Sequence, residues 1–261
     1  MIFDNHLWEW WVISITRQNM LFIVQKCYNP RIPMKPYFFA PLILQKLIWP
    51  PTRFILWFFG HLEVRGLENL KEIKGNAIFA ANHASEIDPF LVPASLPFWS
   101  RFSPLFYTTR EKEFYNTNGW RRHLFGGMFI NAWGGYGVKV GLNDYKKSLE
   151  THCDIIQSKG SFCVYPEGRR SPDGTIQPAK GGVAYLAECG NTPIVPVAFS
   201  GTFRTPFVGF FLRRRHIVVH FGKPIYQEEL KRYVPRGEHL DPHVYKLEAE
   251  YVMGKVKMMI D

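Results

Sequence analysis

Ala77-Ile78-Phe79-Ala80-Ala81-Asn82-His83-Ala84-Ser85-Glu86-Ile87-Asp88-Pro89 is an apolar run that breaks off into a histidine, two acids and a proline. Five uninterrupted apolar residues predict a short strand over 76–81, buried on both faces as strands of parallel sheets are. The same rhythm repeats downstream. Residues 143–159 read as a helix, with Asp144 near its start, Tyr145, Leu149, Cys153 and Ile156 at helical spacing, and Gly160 as its stop. A strand follows over 161–165, then a helix over 180–189 closed by Gly190, then strands over 194–199 and 216–221. A last helix begins at Pro242 and carries Val244, Leu247, Tyr251 and Met258 on one face. Strand, helix, strand in this order requires crossover connections. The expected class is therefore α/β, a mainly parallel central sheet with helices on both faces, in a domain spanning 61–261.

Of the 261 residues, 46% are hydrophobic and 21% charged, which excludes a disordered chain. Four cysteines, Cys27, Cys153, Cys163 and Cys189, are too few for a disulfide framework and lack metal-ligand spacing; they read as reduced, mostly buried thiols. No metal site is expected. The net charge of +10 favours an anionic partner, whether nucleic acid, an acidic membrane or a phosphate-bearing substrate, and does not choose among them.

Residues 1–60 differ from the rest. They hold 14 of the 42 aromatics and five of the eight tryptophans: Trp8, Trp10, Trp11, Trp49 and Trp57. Glu9, Arg17, Lys26, Lys46 and Arg53 interrupt every apolar stretch before it reaches spanning length, and no signal-peptide pattern is present. What remains is two apolar pieces, 37–49 and 54–60, hinged at Pro50-Pro51. Tryptophan beside Lys or Arg suits a headgroup layer, so the segment reads as a helical, membrane-interface element. Its rival is an N-terminal helical layer packed on the main domain.

His83 follows directly on a predicted strand, where open α/β sheets gather their reactive groups. A histidine there can take a proton from a hydroxyl near neutral pH, and a carboxylate on its other nitrogen would fix its tautomer. Asp88, with four residues intervening, can fold back in a turn to do this. Asp before Pro89 is also an ordinary helix start with the carboxylate as cap. A second stretch, Tyr165-Pro166-Glu167-Gly168-Arg169-Arg170-Ser171, ends the 161–165 strand. Gly168 lets backbone approach a ligand, the Arg169 and Arg170 guanidiniums match phosphate oxygens, and Glu167 orders them or holds a substrate hydroxyl. The alternative is a solvated charged turn. There is no Walker A lysine and no GxSxG elbow. Gly135-Tyr136-Gly137 with Gly141 is a loose echo of a dinucleotide loop. Arg213-Arg214-Arg215-His216 lacks the aromatic interleaving of a nucleic-acid platform, and no nucleic-acid partner is expected.

The NHxxxxD stretch followed some eighty residues later by a PEG-Arg turn resembles the glycerolipid acyltransferases typified by 1-acylglycerol-3-phosphate acyltransferase. The likeness covers roughly residues 61–225. It includes Ile194-Val195-Pro196-Val197 and Gly222-Lys223-Pro224-Ile225, with Tyr165 and Arg169 standing where the family has Phe and Thr. In Gly126-Gly127-Met128-Phe129-Ile130-Asn131-Ala132, Ala132 occupies the position of a family arginine, and Lys139 is expected to supply that charge. The resemblance implies His83 and Asp88 as the catalytic pair. It implies acyl transfer from acyl-CoA or acyl carrier protein, as co-substrate rather than cofactor, to the hydroxyl of lysophosphatidate or a related lyso-phospholipid. Lys139, Arg169 and Arg170, arranged by Glu167 and Gly168, would grip the phosphate. The expected location is a membrane surface on its cytoplasmic face. A non-catalytic lipid-binding protein and a thioester-independent transacylase are the alternatives.

Overall fold

Alternation along each strand sends successive side chains to opposite faces, and in this chain both faces are apolar. The computed structural model describes residues 38–110, 128–139, 144–203, 210–211, 215–234 and 242–260. Trp8, Trp10, Trp11, Cys27, Tyr37, Gly126, Gly127, Gly141, Asn143, Arg213 and Arg214 lie outside the described residues. The strands are β1 (Glu63–Arg65), β2 (Ile78–Ala81), β3 (Leu105–Arg110), β4 (Gly135–Val138), β5 (Ser161–Val164), β6 (Ile194–Ser200) and β7 (Val218–Phe221). They form one sheet in the order β1-β7-β6-β2-β5-β3-β4, parallel throughout except between β6 and β7. β2 is fully buried, as expected of a central parallel strand.

Ile78, Ala80, Phe162 and Ile194 face one apolar layer, covered by α5 (Glu150–Gln157), α6 (Gly182–Gly190) and α8 (Pro242–Lys257). Ala77, Phe79, Cys163 and Val195 face the other, covered by α1 (Phe39–Gly60) and α2 (Asp88–Ser95). The short helices α3 (Met128–Trp133), α4 (Tyr145–Ser148) and α7 (Gln227–Tyr233) complete the set. The expected class and the helices on both faces hold.

Several details differ from expectation. The helix read over 143–159 is two helices, α4 and α5. Asp144 does cap the first, accepting the amides of Lys146 and Lys147. In α8 the buried face is Tyr245, Glu248, Ala249, Val252, Met253 and Val256, whereas Leu247 and Met258 are exposed. The face chosen by spacing is only half-buried, at Val244 and Tyr251, because α6 and β6 pack against its neighbour. Cys153 and Cys189, read as separate thiols, are joined as a disulfide between α5 and α6, and Cys163 is a free, buried thiol.

α1 runs through Pro50-Pro51 without a hinge. Two prolines remove two main-chain bonds from a helix, but tertiary anchors hold both halves. Arg53 Nη1 donates to Ala94 O at 2.8 Å, Trp49 Nε1 to Leu96 O at 3.1 Å, and Lys46 Nζ to Phe98 O. These carbonyls lie at and just beyond the C-terminal end of α2, where helix carbonyls lack internal partners. Gln45 adds three bonds to β3 and α3, through Leu105 N, Leu105 O and Trp133 O. The inner face of α1 is thus a layer on the domain, while its outer face bears Phe39, Ile43, Leu47, Phe54, Ile55 and Trp57. Among the described residues no helix is long and apolar enough to cross a membrane.

Candidate active site

β2 and β5 are paired with Ala80 opposite Val164, so the loops that leave their carboxyl ends emerge side by side. Asn82, first beyond β2, returns both amide groups to β6. Its Nδ2 donates to Phe199 O at 3.0 Å and its Oδ1 accepts Phe199 N at 2.8 Å, adding one more rung to the ladder. The next residue, His83, is therefore delivered to a fixed point at the carboxyl end of the central strand.

Asp88 is completely buried, and its Oδ2 accepts His83 Nδ1 at 2.8 Å together with the amides of Ala84 at 2.7 Å and Ser85 at 2.8 Å. This turn is the fold-back expected from the spacing. The carboxylate does not cap the helix it begins; its Oδ2 reaches backward to the loop, where the imidazole and two amides converge on it. An ionised carboxylate only accepts, so the proton sits on Nδ1 and the Nε2 lone pair is left for a substrate. The His83 side chain is 18% exposed, enough for one ring edge to meet a ligand.

The PEG turn clamps the same histidine's backbone. Tyr165-Pro166-Glu167-Gly168 closes with Gly168 N on Tyr165 O at 2.9 Å, proline second and glycine fourth, as such turns prefer. Glu167 then points inward. Its Oε1 accepts His83 N at 2.8 Å and its Oε2 accepts Gln177 N at 2.9 Å. Burial raises its pKa, with these two amides and His83 opposing. Ser171 N donates to His83 O at 2.7 Å, so both main-chain groups of His83 are held by this one loop. Glu167 makes no bond to the arginines it was expected to order.

Outside the clamp the turn is cationic. Arg170 Nη1 pairs with Glu86 Oε1 at 2.9 Å, bridging the two motif loops. Arg169 is exposed and has no side-chain partner among the described residues. Gly168 sits at φ +70°, and a Cβ there would meet the Lys180 side chain at 3.1 Å, so this glycine makes room for a lysine rather than leaving open space. Lys180, exposed and anchored by its amide on Pro166 O at 2.8 Å, is a third cation that sequence reasoning passed over as a helix start. Lys139 follows β4, two strands from β5 across the sheet, and makes no bond to Arg169 or Arg170 among the described residues. Asn82 and Ser171 were legible only as motif neighbours.

Beneath the pair, burial pushes the Cys163 thiol up to about 12, so it stays protonated and is no nucleophile. Among the described residues no group of three or more His, Cys, Asp or Glu is arranged to hold a metal.

A family model for acyltransferases matches residues 61–200, the stretch that carries both loops. The chain belongs to the Acyltransferase family. Curated relatives within reach of this family member include the 1-acyl-sn-glycerol-3-phosphate acyltransferases of Limnanthes alba and Saccharomyces cerevisiae. These are 28% and 32% identical over 177 residues, covering 66% of this chain and 57% and 54% of the relatives. The human 1-acyl-sn-glycerol-3-phosphate acyltransferase beta is 29% identical over 150 residues, 57% of this chain and 50% of that protein. The chain thus spans little more than half the length of the curated relatives it matches. Among solved structures, the 1-acyl-sn-glycerophosphate acyltransferase of Thermotoga maritima aligns with a TM-score of 0.52 at 19% identity, over 93% of this chain and 88% of that one. That likeness is one of fold.

Proposed function

We propose that this acyltransferase-family chain moves a fatty acyl group from a thioester, acyl-CoA or acyl carrier protein, to the free hydroxyl of lysophosphatidate. The observation that carries the reading is the 2.8 Å contact between His83 Nδ1 and a buried Asp88 carboxylate, on an imidazole that is 18% exposed. His83 Nε2 takes the hydroxyl proton as the oxygen attacks the thioester carbonyl. The C–O bond forms, the tetrahedral intermediate collapses with loss of the C–S bond, and the imidazolium returns its proton to the departing thiolate. Asp88 stabilises the cation in between. A base so placed contributes about 10²–10⁴-fold, and orientation of the two substrates supplies much of the rest.

Arg169, Arg170 and Lys180 offer a cationic rim to the acceptor's phosphate, with Glu86 holding Arg170 ready. The names of the curated relatives support a 1-acylglycerol phosphate as the acceptor. The outer face of α1 supports docking on a membrane, whose cytoplasmic leaflet is the proposed side, since its exposed rings and aliphatic chains suit the acyl boundary of a bilayer.

The test is conversion of labelled acyl-CoA and lysophosphatidate to labelled phosphatidate by the purified chain, with acyl carrier protein thioester and other lyso-lipids as parallel arms. His83→Ala should fold normally and lose about 10³-fold or more in rate. A folded His83→Ala variant with ordinary turnover ends this reading. Lipid uptake without any transfer favours a binding protein, and transfer without thioester favours a transacylase.

A further inference from the structure

We propose that Tyr165 is a positioning residue for His83, its ring clamping the imidazole face-on so that Nε2 is aimed at the acceptor. The inference rests on His83 being the base. Tyr165 is the first residue past β5, and the β2–β5 register sets it beside the loop that carries His83. The two rings are stacked, with centroids 4.3 Å apart and planes inclined by 21°.

Stacking supplies something the Asp88 bond does not. One hydrogen bond at Nδ1 fixes a single atom, and the imidazole can still tilt about the line joining Nδ1 to Oδ2. A flat ring against its face blocks that tilt. The two contacts act at right angles, one in the imidazole plane and one above it, and together they leave Nε2 a single direction. A misplacement of about 1 Å in such a group can cost about 10²-fold in rate. The face of a phenol also favours the imidazolium that forms during transfer.

Tyr165 is itself held. Its carbonyl accepts the Gly168 amide at 2.9 Å, and its hydroxyl is buried without a hydrogen-bond partner among the described residues, near Cys163, Asp88 and Tyr107. Tyr107 is fixed in turn by its hydroxyl on Pro89 O at 2.7 Å. A side chain so confined is a wall rather than a mobile cover. Its position in the PEG turn, normally Phe in the family that the sequence resembles, needs an aromatic face more than a hydroxyl.

The experiment compares wild type with Tyr165→Leu, which keeps apolar bulk but has no flat face, and Tyr165→Phe, which keeps the face. The substrates are labelled acyl-CoA and lysophosphatidate. Tyr165→Leu should lose about 10–100-fold in kcat with the acceptor KM within about twofold, and Tyr165→Phe should recover to within about threefold of wild type. The ring C–H proton resonances of His83, assigned by their loss in His83→Ala, should be displaced by the neighbouring ring current in wild type and Tyr165→Phe and return toward ordinary histidine positions in Tyr165→Leu. Wild-type kcat in folded Tyr165→Leu overturns the clamp. So does a loss confined to KM, or a wild-type His83 resonance at its ordinary position. The spectrum is read without turnover, so an inactive wild type would refute the acyltransferase reading while leaving the clamp to be decided by the resonance.

Discussion

Glu167 is where residue type and residue role part company. An acid inside a PEG-Arg turn reads as a partner for arginine or a substrate hydroxyl, yet both its oxygens accept backbone amides, one of them that of His83. Glu167→Gln would offer one acceptor and turn its N–H₂ toward the other amide. It should destabilise the fold by about 1–3 kcal/mol and lower kcat while the acceptor KM stays near wild type. A rise in KM alone, with stability unchanged in urea titrations, would return Glu167 to the substrate. His83, Asp88 and the two arginines were legible because their chemistry is carried by local sequence. The Glu86–Arg170 pair and the Tyr165 stack were not, since each joins residues of different loops through sheet register, and the Lys180 chain over Gly168 depends on how one long loop closes on itself.

Among the elements, α1 departs furthest from its sequence pattern. Pro50-Pro51 announces a break, and intrinsic propensity favours one. The helix persists because its inner face is bonded into α2, α3 and β3. Gln45→Leu would strand three buried main-chain groups and should cost about 2–4 kcal/mol in global stability, read as a lower urea midpoint. A midpoint within error of wild type would mean α1 is a detachable appendage. Its outer face is tested separately: Leu47→Glu should keep the fold and weaken sedimentation with lipid vesicles several-fold, and undiminished binding would exclude this face from contact. The helices over 180–189 and after Pro242 were readable from periodicity and stop signals. The strands β1, β3 and β4 escaped notice: β1 is three residues long, β4 contains two glycines, and β3 ends in the polar run Thr108-Thr109-Arg110.

At the scale of the molecule, the doubly covered parallel sheet was plain in the alternation of apolar runs with helical stretches. The buried ionisable groups between its layers were not. His152 lies fully inside, its Nε2 on Tyr136 O at 3.1 Å, and burial pulls its pKa down to about 4. A group whose folded pKa lies below its unfolded one binds fewer protons in the native state between those values. Stability should therefore fall as pH drops from about 6.5 to about 4, by up to about 3 kcal/mol from this residue. Urea unfolding of wild type and His152→Gln at pH 7 and pH 4.5 measures the difference, and identical acid sensitivity in the two would rule His152 out. The same structure also reassigns charge at the surface. Lys46 and Arg53, the cations of α1 that read as hooks for anionic headgroups, close carbonyls near the end of α2, and every exposed residue of that helix is uncharged. The proposed docking through α1 is then a matter of oil and water, which kosmotropic salt strengthens. A high-salt wash that strips electrostatically bound proteins from a bilayer should leave the hold of this helix intact.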